Sequence, residues 1–396
     1  MTWNIMNILF LALDVNLSYR AGDSIHVREL ALSLAETGNK VALVTADPGE
    51  KIEMAWAGSV SNLKLFFKTS GRGLSDVSTI RFCKKVAKEL NAEIIYERRT
   101  SPKTGYALHK LLKVPYAVEI NAIVEEERVL LSGKGDSGSF KGFRKSMRTR
   151  FFQEAAVVVA VTPGIKDHIH ALYNVPKERI AVVPNGANTE LFKPMDRENC
   201  IRELGLDANK RYICFTGNLA PWQGLVHMLD AMPLILKEMG NAVFLVVGGG
   251  KEKEALEKRT RELKIEDNVV FTGWVDYEKV SIYINASDVC VAPLAEGREK
   301  SGSSAIKIYE YLACGKPVVA TNVPYLDFLA KEDCGLLVGK GDVSSLAQAV
   351  LSLLKDFDRT MKMGTAGRTY VQENASWAGT ATNINKLLEL SVPPSG

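Results

Sequence analysis

Short apolar runs that do not alternate narrow the choice of fold more than any other feature of this chain. In residues 7–13, NILFLAL, apolar side chains follow one another without the in-and-out rhythm of a half-exposed strand. Such a strand must be covered on both faces, the condition of a parallel sheet flanked by helices. Comparable runs are expected as strands at 40–45, 63–67, 92–96, 116–120 and 155–161, and again at 212–216, 242–247, 269–272, 289–292 and 318–320. Between them, residues 26–37, 79–90, 105–112, 251–263 and 280–285, and a stretch from Leu225, carry apolar positions at helical spacing. The alternation of strand and helix occurs twice over. It predicts two doubly wound, Rossmann-like α/β domains facing across a cleft, with the turn-rich run VVPNGANTELFKP at 182–194 as the boundary.

Composition excludes several classes. The 396 residues are 46% hydrophobic and 24% charged, ordinary for a water-soluble globular protein, and a net charge of +4 is too small to argue for a nucleic-acid partner. Cys83, Cys200, Cys214, Cys290, Cys314 and Cys334 form no C-x-x-C pair and read as reduced core thiols of a cytoplasmic protein. Residues 4–13 lack the basic start and small-residue cleavage site of a signal peptide, and no apolar run reaches the length of a membrane span. Membrane contact is therefore expected only at the periphery. Its candidate is 140–152, where Phe140, Phe143, Met147 and Phe151 are interleaved with Lys141, Arg144, Lys145, Arg148 and Arg150. This pattern suits a helix lying on an anionic inner membrane face, or equally a core stripe with a solvated basic flank.

The functional signal concentrates in 302–321, GSSAIKIYEYLACGKPVVAT. Ser303 or Ser304 can cap a helix carrying Ile306, Tyr309, Leu312 and Ala313, which ends at Gly315 before a buried strand. Lys307 and Glu310 share one helix face near its positive end, where a cation, a carboxylate and N–H groups can hold a phosphorylated polyol. The plainer reading of that pair is an exposed i,i+3 ion pair. Other candidates lie at strand ends: the loop of Gly22, Glu119 and Asn121 in the first half, and Gly217, Gly248–Gly250, Gly273 and 296–304 in the second. The Gly22 loop is not G-x-G-x-x-G, so a nicotinamide site is not expected. Asp356 and Asp358 read as a turn and the histidines are scattered, so no essential metal or other cofactor is expected.

Assembled, these pieces resemble a retaining glycosyltransferase of family 4, with the GT-B fold. The resemblance rests on a glycine loop followed by IHVRELALSLAETGNKV, then VEINAIVEEER, VVPNGANTELFKP, FTGNLAPWQG, FLVVGGG, VVFTGWV and KIYEYLACGKPVVAT, in that order. It implies an acceptor-binding domain at 1–190, with a C-terminal helix at 377–390 returning to it, and a donor-binding domain at 191–376. It further implies a nucleoside diphosphate sugar donor, UDP-linked by preference and GDP-linked as the alternative, and a glycan or lipid-linked acceptor. Glu310 would bind the ribose, and backbone at Gly273, Trp274 and Val275 would hold the base. Gly217, Asn218, Gln223, Gly248, Lys300, Gly302, Ser303 and Ser304 would complete the donor side. Gly22, His26, Glu119, Asn121 and Glu126 would form the acceptor side, with Gly22 approaching the diphosphate.

The chain departs from the family pattern where charge is needed. Arg and Lys commonly touch the diphosphate where Asn218 and Gln223 stand here, Gly302 replaces a glutamate, and Asn121 replaces a histidine. Lys307, with Arg298 or Lys300, is expected to supply the missing positive charge. Two other readings remain at this point: a non-catalytic nucleotide-sugar-binding subunit, and a nucleotide-sugar hydrolase or epimerase.

Overall fold

The computed structural model describes residues 4–18, 22–49, 55–68, 75–99, 102–123, 141–295, 304 and 306–392. They divide into two compact units. One comprises Met1–Asn185, Lys300–Ser304 and Trp377–Gly396, and the other Gly186–Glu299 and Ala305–Ser376.

The first unit is built from β1 (Asn7–Ala12), α1 (Gly22–Glu36), β2 (Lys40–Ala46), β3 (Leu63–Lys68), α2 (Ser75–Leu90), β4 (Ile94–Arg98), α3 (Lys103–Leu112), β5 (Tyr116–Ile120), α4 (Lys141–Glu154), β6 (Val157–Ala160), α5 (Pro163–Tyr173) and β7 (Ile180–Val182). Its strands form a parallel sheet in the order β3-β2-β1-β4-β5-β6-β7. Ile8 through Ala12 are wholly buried, as a strand covered on both faces requires. The order reverses between β1 and β4, and in such sheets ligands bind outside the carboxyl ends at the reversal.

The second unit follows the same plan: α6 (Arg197–Glu203), β8 (Arg211–Thr216), α7 (Leu225–Glu238), β9 (Ala242–Val247), α8 (Lys253–Leu263), β10 (Val269–Gly273), α9 (Tyr277–Ala286), β11 (Val289–Ala292), α10 (Ile306–Ala313), β12 (Val318–Thr321), α11 (Phe328–Lys331), β13 (Gly335–Val338), α12 (Val343–Lys355) and α13 (Phe357–Asn374). The sheet order is β10-β9-β8-β11-β12-β13, so the reversal falls between β8 and β11. Arg368 of α13 is an unanticipated brace. Its guanidinium donates to the carbonyls of Thr189, Phe192 and Ala313 at 3.1, 2.7 and 2.9 Å, tying the stretch after Asn185 to the end of α10.

The last helix, α14 (Trp377–Glu389), belongs to the first unit and packs on α1. Asn39 Nδ2 donates to Asn385 Oδ1 at 2.7 Å, Thr380 Oγ1 donates to the Pro184 carbonyl at 3.1 Å, and Trp377 is buried edge-on to His26.

Several expectations need correction. Gly22 is the first residue of α1 rather than part of a loop, so the helix starts a turn earlier than its apolar periodicity indicates. Within the chiefly helical stretch beyond Ala330, Gly335–Val338 adds an edge strand to the second sheet that the sequence reading did not include. Asp356 and Asp358 do not make a turn of their own: Asp356 caps α13, its carboxylate accepting from Arg359 N at 3.0 Å, and Asp358 lies in that helix's first turn. In α4, Phe151 and Phe152 are buried, and Phe151 packs against Tyr106, so the carboxyl end of the apolar stripe is core. Phe140 lies outside the described residues. Among the described residues no helix is long and apolar enough to cross a membrane. All six cysteines are buried and unpaired with one another.

Candidate active site

In the second unit the carboxyl ends of β8, β9 and β10 carry glycines, and backbone approaches backbone at Gly248 and Gly250. Gly217, Gly248 and Gly273 have φ of +127°, +136° and +70°, a region that L side chains rarely adopt. A Cβ on Gly248 would lie 2.0 Å from the Gly217 carbonyl oxygen, and one on Gly250 2.4 Å from Asn218 Oδ1. Trp274, 46% exposed, sets its indole against this ribbon, with Nε1 2.6 Å from where a Gly249 Cβ would stand. Val275 beside it is half-buried.

Lys307, on the first turn of α10, reaches the end of β8. Its Nζ donates to Gln223 Oε1 at 2.9 Å and lies 3.8 Å from the Phe215 ring centroid. The same ammonium comes within 3.0 Å of where a Gly217 Cβ would be, so a side chain there would push it aside. Tyr311, on the buried face of the helix, fastens α10 to β8 by accepting from Thr216 N at 2.7 Å. Glu310, buried, accepts from Tyr277 Oη at 2.9 Å. Lys307, Gln223, Gly217 and Asn218 are thus brought together at the reversal between β8 and β11. Glu310 is turned toward α9. Arg298, Lys300, Gly302 and Ser303 lie outside the described residues.

In the first unit, a buried polar group occupies the end of β5. His26 Nε2 lies 2.8 Å from Glu119 Oε1, while the other carboxylate oxygen accepts from Tyr96 Oη at 2.8 Å and Oε1 also accepts from Asn121 Nδ2 at 3.1 Å. Burial pushes the Glu119 pKa up, but His26, Arg98 and Tyr96 outweigh it, and the carboxyl is held below its usual range. The second imidazole nitrogen, Nδ1, is 2.8 Å from Asn185 Oδ1, and Asn185 Nδ2 donates to the Ser304 carbonyl at 2.7 Å. That donation turns Oδ1 toward the ring. Nδ1 thus faces an amide oxygen and Nε2 a carboxylate oxygen. Gly22 stands at the start of α1, and a Cβ there would meet nothing within 4 Å. Glu126 lies outside the described residues.

The sequence reading did not include Tyr96, Asn185, Phe215, Tyr277 or Tyr311. Each lies far in sequence from the group it serves, and a lone tyrosine or asparagine carries no periodic signal. Among the described residues no three His, Cys, Asp or Glu side chains are grouped as metal ligands.

Two parallel-sheet units of this kind are those of the GT-B fold, and solved structures agree. A sucrose-phosphate synthase from Thermosynechococcus elongatus superposes with a TM-score of 0.79 at 21% identity, over 97% of this chain and 98% of that one. WaaG, a glycosyltransferase involved in lipopolysaccharide biosynthesis, gives 0.71 at 16% identity, over 98% and 100%. Residues 21–191 match the Glycosyltransferase Family 4 model and residues 210–356 the Glycosyl transferases group 1 model, and the chain belongs to glycosyltransferase family 4. A GDP-mannose-dependent alpha-(1-6)-phosphatidylinositol monomannoside mannosyltransferase of Mycobacterium tuberculosis is 28% identical over 271 residues, 66% of this chain and 69% of that protein. An uncharacterised glycosyltransferase of Methanocaldococcus jannaschii is 27% identical over 248 residues, 61% of this chain. The match spans 62% of that archaeal relative's own length.

Proposed function

We propose that this chain transfers a glycosyl unit, with retention of configuration, from a uridine or guanosine diphosphate sugar to a hydroxyl of a glycan or lipid-linked acceptor. The observation that carries the reading is the Lys307 ammonium held beside Gln223 and Gly217 at the end of β8, with Glu310 on the same helix. In this scheme the acceptor oxygen forms a bond to the anomeric carbon from the face the diphosphate is leaving. The bond to the diphosphate oxygen breaks, and the acceptor proton passes to that oxygen. Lys307 neutralises charge as it develops on the leaving group, where a positioned cation has most effect. Arg298 or Lys300 serves as a second cation, and no metal takes part. The ribose falls to Glu310 and the base to backbone at Gly273–Val275.

The GDP-mannose dependence of the mycobacterial relative supports guanosine, while the sequence resemblance favoured uridine. Thermal shifts with UDP, GDP and ADP separate these choices, since a ligand of the folded state raises its melting temperature. The proposed setting is the cytoplasm, at the inner membrane face, where a lipid-linked acceptor would be met.

A second reading, a non-catalytic nucleotide-sugar-binding subunit, draws on the neutral Asn218 and Gln223 at positions where the family commonly carries cations. Incubation with labelled nucleotide sugars and membrane lipid extract, with and without a chelator, decides between them. Acceptor-dependent release of nucleoside diphosphate is expected, unchanged by the chelator. Nucleotide binding without any release would leave only the binding role.

A further inference from the structure

We propose that Arg98 and Asn121 form a subsite of the first unit that takes an oxyanion, the phosphate or carboxylate group of an acidic acceptor, together with a neighbouring hydroxyl. These roles rest on the transfer reading above, with the first unit as the acceptor side. Arg98 is the last residue of β4, a strand that borders the reversal of its sheet, so it stands where such sheets receive ligands. It lies opposite Glu119 of β5 in the register of the two strands, and Asn121 follows Glu119 by two residues, its Nδ2 donating to Glu119 Oε1 at 3.1 Å. Both residues therefore belong to the sheet face that carries Glu119. Their needs are complementary. Among the described residues, the buried Arg98 Nε meets no acceptor and the buried Asn121 Oδ1 meets no donor.

Stability alone does not account for this arrangement, because a buried donor or acceptor left unpaired costs free energy. Glu119 feels the charge of Arg98, which helps hold its carboxyl below the usual range, yet its oxygens find their partners elsewhere. Oε2 accepts from Tyr96 Oη at 2.8 Å, and Oε1 accepts from Asn121 Nδ2 with His26 Nε2 at 2.8 Å. Arg99, the next residue, faces Asp14 at 3.7 Å, so its charge is matched. Arg98 and Asn121 are only half-buried, which leaves a ligand a way to them. A guanidinium is a planar fork of donors that fits two oxygens of a phosphate or carboxylate at once. The Asn121 amide has its nitrogen turned to Glu119, and the remaining oxygen accepts from a hydroxyl of the same molecule. A neutral sugar would supply the hydroxyl but not the counter-charge.

The test is calorimetric titration of glucose 6-phosphate, glucuronate and glucose against the parent, Arg98→Met, Arg98→Lys and Arg99→Gln, with melting temperatures measured alongside. The parent is expected to bind a charged probe about tenfold more tightly than glucose, the first probe reporting a phosphate and the second a carboxylate. Arg98→Met keeps the stem and removes every donor, so it should erase that preference while raising the melting temperature. Arg98→Lys keeps a charge without the fork and should recover part of the preference, and Arg99→Gln should retain it. In turnover with a nucleotide sugar and the anionic fraction of a membrane lipid extract, Arg98→Met should raise the acceptor KM about tenfold with little change in kcat. A parent that prefers neither charged probe overturns the inference, as does an equal loss in Arg99→Gln or an undiminished preference in Arg98→Met. A fall in UDP or GDP affinity in Arg98→Met would move the arginine to the donor side and overturn it too. Charged probes bound through Arg98 by a parent that releases no nucleoside diphosphate with any acceptor would leave the subsite in place and remove the transfer reading alone.

Discussion

The Lys307 ammonium donates to Gln223 Oε1 across 2.9 Å, although the two residues are 84 apart in the chain. At this end of β8 the positive charge therefore arrives from the helix, and the loop contributes a neutral amide. The neighbouring Phe215 ring, 3.8 Å from the ammonium, adds an attraction that keeps the charge in place without neutralising it.

Replacing this lysine tests the proposed chemistry most directly. Lys307→Ala is expected to lower kcat by about 10²–10³-fold, the usual effect of deleting one transition-state charge partner. The melting temperature should change little, because the side chain is only partly buried. Steady-state kinetics with the preferred nucleotide sugar measure the first quantity and calorimetry the second. Turnover at the parent rate would rule Lys307 out.

Glu310 and Tyr277 separate ligand binding from local packing. If Glu310 holds the ribose hydroxyls, Glu310→Gln should weaken nucleotide binding by about tenfold or more, since a hydrogen bond to a charged group is worth about 1.5–3 kcal/mol. Tyr277→Phe removes the 2.9 Å bond to the same carboxylate and should have a smaller effect. Isothermal titration of both variants checks the order.

Two glycines make opposite predictions. Gly248→Ala would force a methyl to within 2.0 Å of the Gly217 carbonyl oxygen at a φ of +136°, and a loss of several kcal/mol, about 2–4, is expected by chemical denaturation. Gly22→Ala meets no atom of the first unit and should leave folding within about 0.5 kcal/mol of the parent. Lost turnover in a normally stable Gly22→Ala variant would mean that the ligand fills that space.

Glu97 governs a pH dependence of stability. Burial pushes its carboxyl up from 4.5 to about 7, while the Gly105 N–H at 2.7 Å partly restrains the shift. The folded chain then holds more proton than the unfolded chain between those values, so stability falls as pH rises from about 4.5 to about 7. The full span is on the order of 3 kcal/mol. Glu97→Gln should remove this dependence and raise the melting temperature above pH 7, which a thermal series across pH 4–8 will show.

The central strands of both sheets were legible in the sequence because burial on both faces leaves an uninterrupted apolar run. The edges were not. Ile180–Val182 and Gly335–Val338 are three and four residues long and partly exposed, so no such run distinguishes them from a turn. Lys307 and Glu310 stood out because a single helix face carries both. The His26–Asn185 contact joins residues 159 apart and left no local trace. The start of α1 was misread because a glycine looks like a loop, yet here it opens a helix whose first turn has no apolar face to mark it.

The first unit is completed by the last helix of the chain. Its α1 packs on α14, the turn after α1 is tied there by the Asn39–Asn385 bond, and Trp377 stands edge-on to His26. During synthesis, the packing of α1 against α14 is therefore completed only after residues 377–389 have been made, later than every strand of both sheets. A nonsense mutation near residue 377 would accordingly injure the half of the protein made first.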